Sequence, residues 1–126
     1  MELPTNAINW FEIPVSDFNR AKKFYSAIYN YEMPEMEMGP VKMGMLPSDQ
    51  GGGVGGAICY GEGYEPSEKG ARVYLNGGDD LTVVLDRVEA AGGKVVLGKT
   101  DIGEGFGFFA FFHDTEGNWV GLHSMG

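Results

Sequence analysis

The feature that most constrains this chain is that its grammar occurs twice. Phe11, Ile13 and Val15 alternate with Trp10, Glu12 and Pro14, the period of a strand over residues 9–15. Ser16 or Asp17 then offers a helix cap, and Phe18, Ala21, Phe24, Tyr25 and Ile28 follow at helical spacing. Residues 33–46 read as short strands broken at Gly39-Pro40, and 54–60 as a strand weakened by glycine. After 61–70, rich in Gly, Pro66 and charge, the pattern returns. Residues 71–75 are strand-like, Asp79 or Asp80 caps a second stripe (Leu81, Val84, Leu85, Val88, Ala91), and Gly92-Gly93 stops it. Strands are expected over 94–97, 108–112 and 118–124. Asp17-Phe18 and Asp80-Leu81 are 63 residues apart, and Gly53-Val54 and Gly117-Asn118 are 64 apart, about half of the 126-residue chain. Two copies of a unit that cannot bury its sheet alone would pack together. The reading is one domain: module one over about 8–60, a linker over about 61–70, and module two over about 71–124. Chance recurrence of common elements is the plainer alternative.

Charge narrows the partners. Nine Lys and Arg face eighteen Asp and Glu, a formal charge of −9. With no basic stripe to compensate, nucleic-acid binding is not expected. No apolar run approaches the ~20 residues of a membrane helix, so no membrane partner is expected. The chain does not open on a basic stretch followed by an apolar one, so no secretory leader is expected. Cys59 is the only cysteine; it reads as a small buried hydrophobe in a reducing, cytoplasmic setting. The glycines over 51–56 precede neither a Gly-Lys-Ser/Thr nor a helix, so they are not a phosphate loop. Met33, Met36, Met38, Met43 and Met45 suit an adaptable pocket or ordinary packing equally well.

Several segments together resemble the vicinal-oxygen-chelate superfamily of glyoxalases, bleomycin- and fosfomycin-resistance proteins and extradiol dioxygenases. They are Phe11-Glu12-Ile13-Pro14-Val15-Ser16-Asp17, Ala21-Lys22-Lys23-Phe24-Tyr25, Val73-Tyr74-Leu75, Asp79-Asp80-Leu81, the run over 90–96, and Asp114-Thr115-Glu116-Gly117-Asn118. The resemblance covers residues 9–122. It implies an α+β fold of two βαβββ modules, an open curved barrel with the helices outside and a cavity inside. It also implies a homodimer and a small-molecule ligand.

Metal-dependent members hold a divalent ion with His or Glu from four strands, and the ion polarises substrate oxygens. In this chain the four positions fall on Trp10, near Ala57, on Val73 (or Arg72, if Gly77-Gly78 holds a bulge) and on Gly121. None of these side chains is a carboxylate or an imidazole. The expectation is therefore a metal-independent binder with no cofactor. The alternative is a lyase or isomerase using Glu12 and His123, with or without a divalent metal at a displaced site. Each of that pair lies two residues beyond a family ligand position, on the same strand face. A simple hydrogen-bonded or ion-paired Glu–His is the plainer reading. Arg72 and Tyr74 are candidate ligand contacts if they face the cavity; if the bulge is absent, Val73 and Leu75 line it instead. Trp10 and Gly121 complete the candidate ligand-binding set. Trp119 and the Phe residues of 108–112 are either core or a stacking wall, with core favoured for most of the Phe. His113 is expected to be exposed.

Overall fold

The computed structural model describes residues 1–49 and 51–126. In chain order the elements are β1 (Trp10–Pro14), α1 (Phe18–Tyr29), β2 (Glu35–Met38), β3 (Val41–Met45), β4 (Gly55–Tyr60), β5 (Tyr74–Asn76), α2 (Thr82–Leu85), β6 (Lys94–Asp101), β7 (Phe108–His113) and β8 (Trp119–Ser124). They form two four-stranded sheets of the same order, β1-β4-β3-β2 and β5-β8-β7-β6. In each sheet the first strand pairs parallel with the last and the others pair antiparallel. The mixed α+β, twice-repeated βαβββ architecture is the expected one.

Helix α1 forms for the reasons its sequence gives. Asp17 accepts a hydrogen bond from the Arg20 N–H at 3.1 Å and closes its start. Asn30, in the left-handed region at φ 52°, closes its end. All five residues of the apolar stripe are buried. The second helix departs from expectation. Only Thr82–Leu85 is α-helical. Beyond it the chain continues in tighter three-residue bonds (Arg87 N–H to Val84 O, Val88 N–H to Leu85 O) and stops at Gly92, φ 105°. Leu81, Val84, Leu85 and Val88 are nonetheless buried and Ala91 packs half-buried against the core, so the apolar stripe meets the core although the helix is short. Strand β5 begins three residues later than expected, and β6 runs four further, with register shifts that let it bend.

One core serves both modules. Ile13, Val15, Phe24, Ile28 and Ile58 pack in a single cluster with Leu75, Leu85, Phe112 and Leu122. The Phe24 and Phe112 rings lie 5.8 Å apart. Polar bonds cross between modules as well. The Tyr25 hydroxyl donates to Asp114 at 2.8 Å, and the Asn118 amide donates to the Pro14 carbonyl at 2.8 Å. Arg20 pairs with Glu116 at 2.7 Å. The sheets use their helix-facing sides to build this core, and their opposite sides are left open. No helix of the described residues is long and apolar enough to cross a membrane.

Candidate functional site

The short strand β5 settles the question left open by the sequence. Leu75 is buried and Val73 packs against the core, while Arg72 and Tyr74 are exposed on the opposite side. The orientation expected with a bulge is the one observed; the β5–β8 register itself runs unshifted from Tyr74–Gly121 to Asn76–His123. Strand β7 alternates in the same way. Phe112 and Ala110 are fully buried, whereas Phe109, Phe111 and His113 are half-buried on the other face. The expectation that most of these Phe residues are core is thus corrected: two of the four lie on the site face.

There the aromatic rings form a continuous surface. Phe111 meets Trp119 at 5.8 Å, Tyr74 at 5.8 Å and Phe109 at 5.3 Å. His113 stands edge-on to Trp119 at 5.3 Å, half-buried rather than exposed as expected. The Arg72 guanidinium carbon lies 4.4 Å from the centre of the Trp119 ring and 5.1 Å from that of Phe111. Such cation–π stacking holds a guanidinium in place while leaving its N–H groups free for a ligand. Among the described residues Arg72 has no carboxylate partner within ion-pair distance.

Arg72 and Tyr74 also border a cleft of about 330 Å³ between the modules. One wall is residues 72–76; the facing wall includes Phe11, Leu46, Pro47 and Gly55. The cleft is mainly apolar, and Arg72 is its one charged liner. Tyr29 donates its hydroxyl to the Asn76 carbonyl at 2.8 Å beneath it. Burial, then the neighbouring Tyr31, raises the Tyr29 phenol well above its usual range.

Glu12 sits elsewhere. One of its carboxylate oxygens accepts from the Tyr64 hydroxyl at 2.8 Å, the other from the Trp10 indole N–H at 3.2 Å. The hydrogen bond to this carboxylate, together with burial, pushes the Tyr64 phenol up to about 12. Cys59 is buried beside it; burial first and Glu12 second push its thiol up to about 12, which keeps it protonated and inert. His123 is bonded through Nε2 to the Phe106 carbonyl at 2.8 Å. Glu12 and His123 therefore share neither a hydrogen bond nor a cleft among the described residues, and the expected Glu–His pair does not form. The reason is placement: the two residues lie on different sheets, each with its own partners.

The four positions to which the resemblance would assign metal ligands carry no donor set that fits a divalent ion. Trp10 gives its N–H to Glu12, Ala57 is fully buried, and Val73 turns to the core. Gly121 lies beneath the Tyr74 ring rather than against the cleft. Among the described residues no three His, Cys, Asp or Glu are grouped to hold a metal. Sequence reasoning passed over Tyr64 as a partner of Glu12, and Phe109 and Phe111 as the platform under Arg72. The alternation within 108–113 carried the signal for the second; nothing local carried the first.

Comparison with known proteins agrees with this architecture. The sequence model of the Glyoxalase/Bleomycin resistance protein/Dioxygenase superfamily matches residues 7–122. A glyoxylase-like domain-containing protein of Didymella fabae is 34% identical over 116 residues, 88% of each chain. A Mycobacterium bovis protein provisionally named glyoxylase CFP32 is 30% identical over 126 residues, 90% of this chain but 44% of that protein, so the chain spans under half of that relative. Among solved structures, TnmS3, an antibiotic binding protein from Streptomyces sp. CB03234, superposes with a TM-score of 0.68 at 21% identity over 98% of each chain. With its repeated βαβββ units and this match over nearly its whole length, the chain belongs to the glyoxalase/bleomycin resistance protein/dioxygenase superfamily.

Proposed function

We propose that this protein binds a small molecule between its modules, at Arg72 and Tyr74, without a divalent metal. The observation that carries the reading is Arg72 mounted on Phe111 and Trp119 at the edge of an apolar cleft of about 330 Å³. Small-molecule sites are typically roughly 300–1,000 Å³, mostly apolar, with a few polar groups that fix orientation. The side chains at the family ligand positions support binding rather than metal-assisted turnover. TnmS3, of the same fold, is an antibiotic binding protein, which supports the same class of role. A second copy of the chain closing the open sheet faces is part of this reading, supported by the exposure of Trp10 and Tyr74.

The test is thermal unfolding of the full chain against a panel of planar aromatic compounds. A ligand that binds only the folded state raises Tm by mass action. The expected result is a concentration-dependent rise for part of the panel, lost in the Arg72→Ala/Tyr74→Ala double variant. A flat response throughout, or an unchanged response in the double variant, would contradict the site.

A further inference from the structure

We infer that the ligand of this cleft is an aromatic or apolar carboxylate whose charge is seated on Arg72. The inference rests on the small-molecule reading above and adds the ligand's chemical class. Four of the nine Lys and Arg pair with acids. Arg20 pairs with Glu116, Lys22 and Lys42 with Glu35, and Lys99 with Asp80. Of the five without such a partner among the described residues, Arg72 is the one held against aromatic rings and the one that borders the cleft. The two rings, inclined at 70° to each other, hold the guanidinium by cation–π contact without an acceptor for its N–H groups among the described residues. The fork of N–H groups is the geometry that fits a carboxylate.

Beside Arg72, but outside the lining of the cleft, two ring nitrogens also lack hydrogen-bond partners among the described residues. The Trp119 indole N–H is buried and finds no acceptor. His113 Nε2 is buried without a hydrogen bond, with Glu68 Oε2 at 3.6 Å. A buried ring nitrogen without a partner is unfavourable, and a water, or a ligand that reaches past the cleft, relieves it. The β1 carboxylate, Glu12, is already engaged on both oxygens by Trp10 and Tyr64 and does not line the cleft. The protein's net charge of −9 disfavours the approach of anions in general. The apolar walls, Phe11 and Leu46 with Val73 and Leu75, therefore supply the rest of the affinity and select for an apolar body.

The experiment uses three probes of one shape and different charge: 2-naphthoate, 2-naphthamide and 2-(aminomethyl)naphthalene. Each is titrated into the full chain by calorimetry. The expected result is 2-naphthoate bound about tenfold or more tightly than the amide, with the amine weakest, the difference a charged hydrogen-bonded pair makes. Arg72→Met is expected to abolish the preference for naphthoate over the amide. The comparison of the three probes is made on the unaltered protein and needs no variant to fold. Equal binding of the three probes, or a naphthoate preference that persists in Arg72→Met, would overturn the carboxylate assignment and leave small-molecule binding standing. No binding of any probe at millimolar concentration would overturn both.

Discussion

Tyr74 stands over Gly121, its partner across the β5–β8 ladder, so closely that a Cβ at position 121 would lie 2.5 Å from Tyr74 Cδ2 and 3.0 Å from Cγ. Module one has a counterpart. Trp10 pairs with Gly55, and a Cβ there would lie 3.3 Å from Trp10 Cζ3. In each module an aromatic ring on the first strand rests on a glycine of the last. Trp10 and Gly121 are two of the positions where metal-dependent relatives would carry ligands. An aromatic ring and the glycine that seats one now occupy them.

Gly121→Ala should therefore act on Tyr74 before anything else. Overpacking of this kind costs about 1–3 kcal/mol, read by urea denaturation. The displaced ring should also weaken ligand binding. A variant as stable as the parent with binding intact would show that Tyr74 has room to move.

Glu116 fastens module two to the start of α1. Its side chain accepts from the Ser16 and Asp17 N–H groups at 2.9 and 2.8 Å and from Arg20 Nε at 2.7 Å. Burial opposes its charge, but these bonds outweigh burial and hold the carboxyl at about 2 against an ordinary 4.5. A depressed folded value stabilises the protein above the unfolded pKa, and that stability is lost as pH falls from about 4.5 toward 2. Glu116→Gln should lose about 1–2 kcal/mol at pH 7, as for removal of a helix cap, and should narrow the gap to the parent at pH 3. A gap of the same size at both values would show that the charge does not matter.

What the sequence made legible was local. The cap at Asp17 and the stripe from Phe18 to Ile28 depend on residues within a few positions of one another, so periodicity was enough. The alternation of 71–75 was visible too, but which side met the core depended on where β8 lay. Tyr64 reaches Glu12 across 52 residues, and Glu116 reaches Ser16 across 100. No local pattern encodes such contacts. Glu12 and His123 illustrate the same limit. The two-residue rule gives the face of each strand, but not the distance between two sheets.

The Tyr64–Glu12 bond predicts a titration. A phenol donating to a carboxylate resists ionisation, and Tyr64 is pushed up to about 12. In Glu12→Gln that hydrogen bond to a charged group is gone, and one tyrosine should ionise closer to 10, the ordinary value. Absorbance at 295 nm against pH, with Tyr64→Phe as the reference, measures it. An unchanged titration curve in Glu12→Gln would contradict the contact.

Asn118 is buried and ties three segments together. Its amide nitrogen donates to Pro14 O at 2.8 Å and to Asp114 Oδ2 at 2.9 Å, and its oxygen accepts from the Ser67 N–H at 3.0 Å. Asn118→Ala leaves these partners unmet and should cost about 2–3 kcal/mol. Hydrogen exchange at Ser67 should quicken with it. Parent-like stability would mean that water replaces the amide without loss.

The central claim is that the cleft beside Arg72 binds its ligand without a divalent metal. The most direct measurement is titration of 2-naphthoate into the full chain after EDTA treatment and again after adding back Zn²⁺, Ni²⁺, Mn²⁺ or Fe²⁺, with bound metal counted by mass spectrometry. The account predicts the same affinity in every case and substoichiometric metal. Binding that disappears with EDTA and returns with one metal ion per chain or per dimer would contradict it.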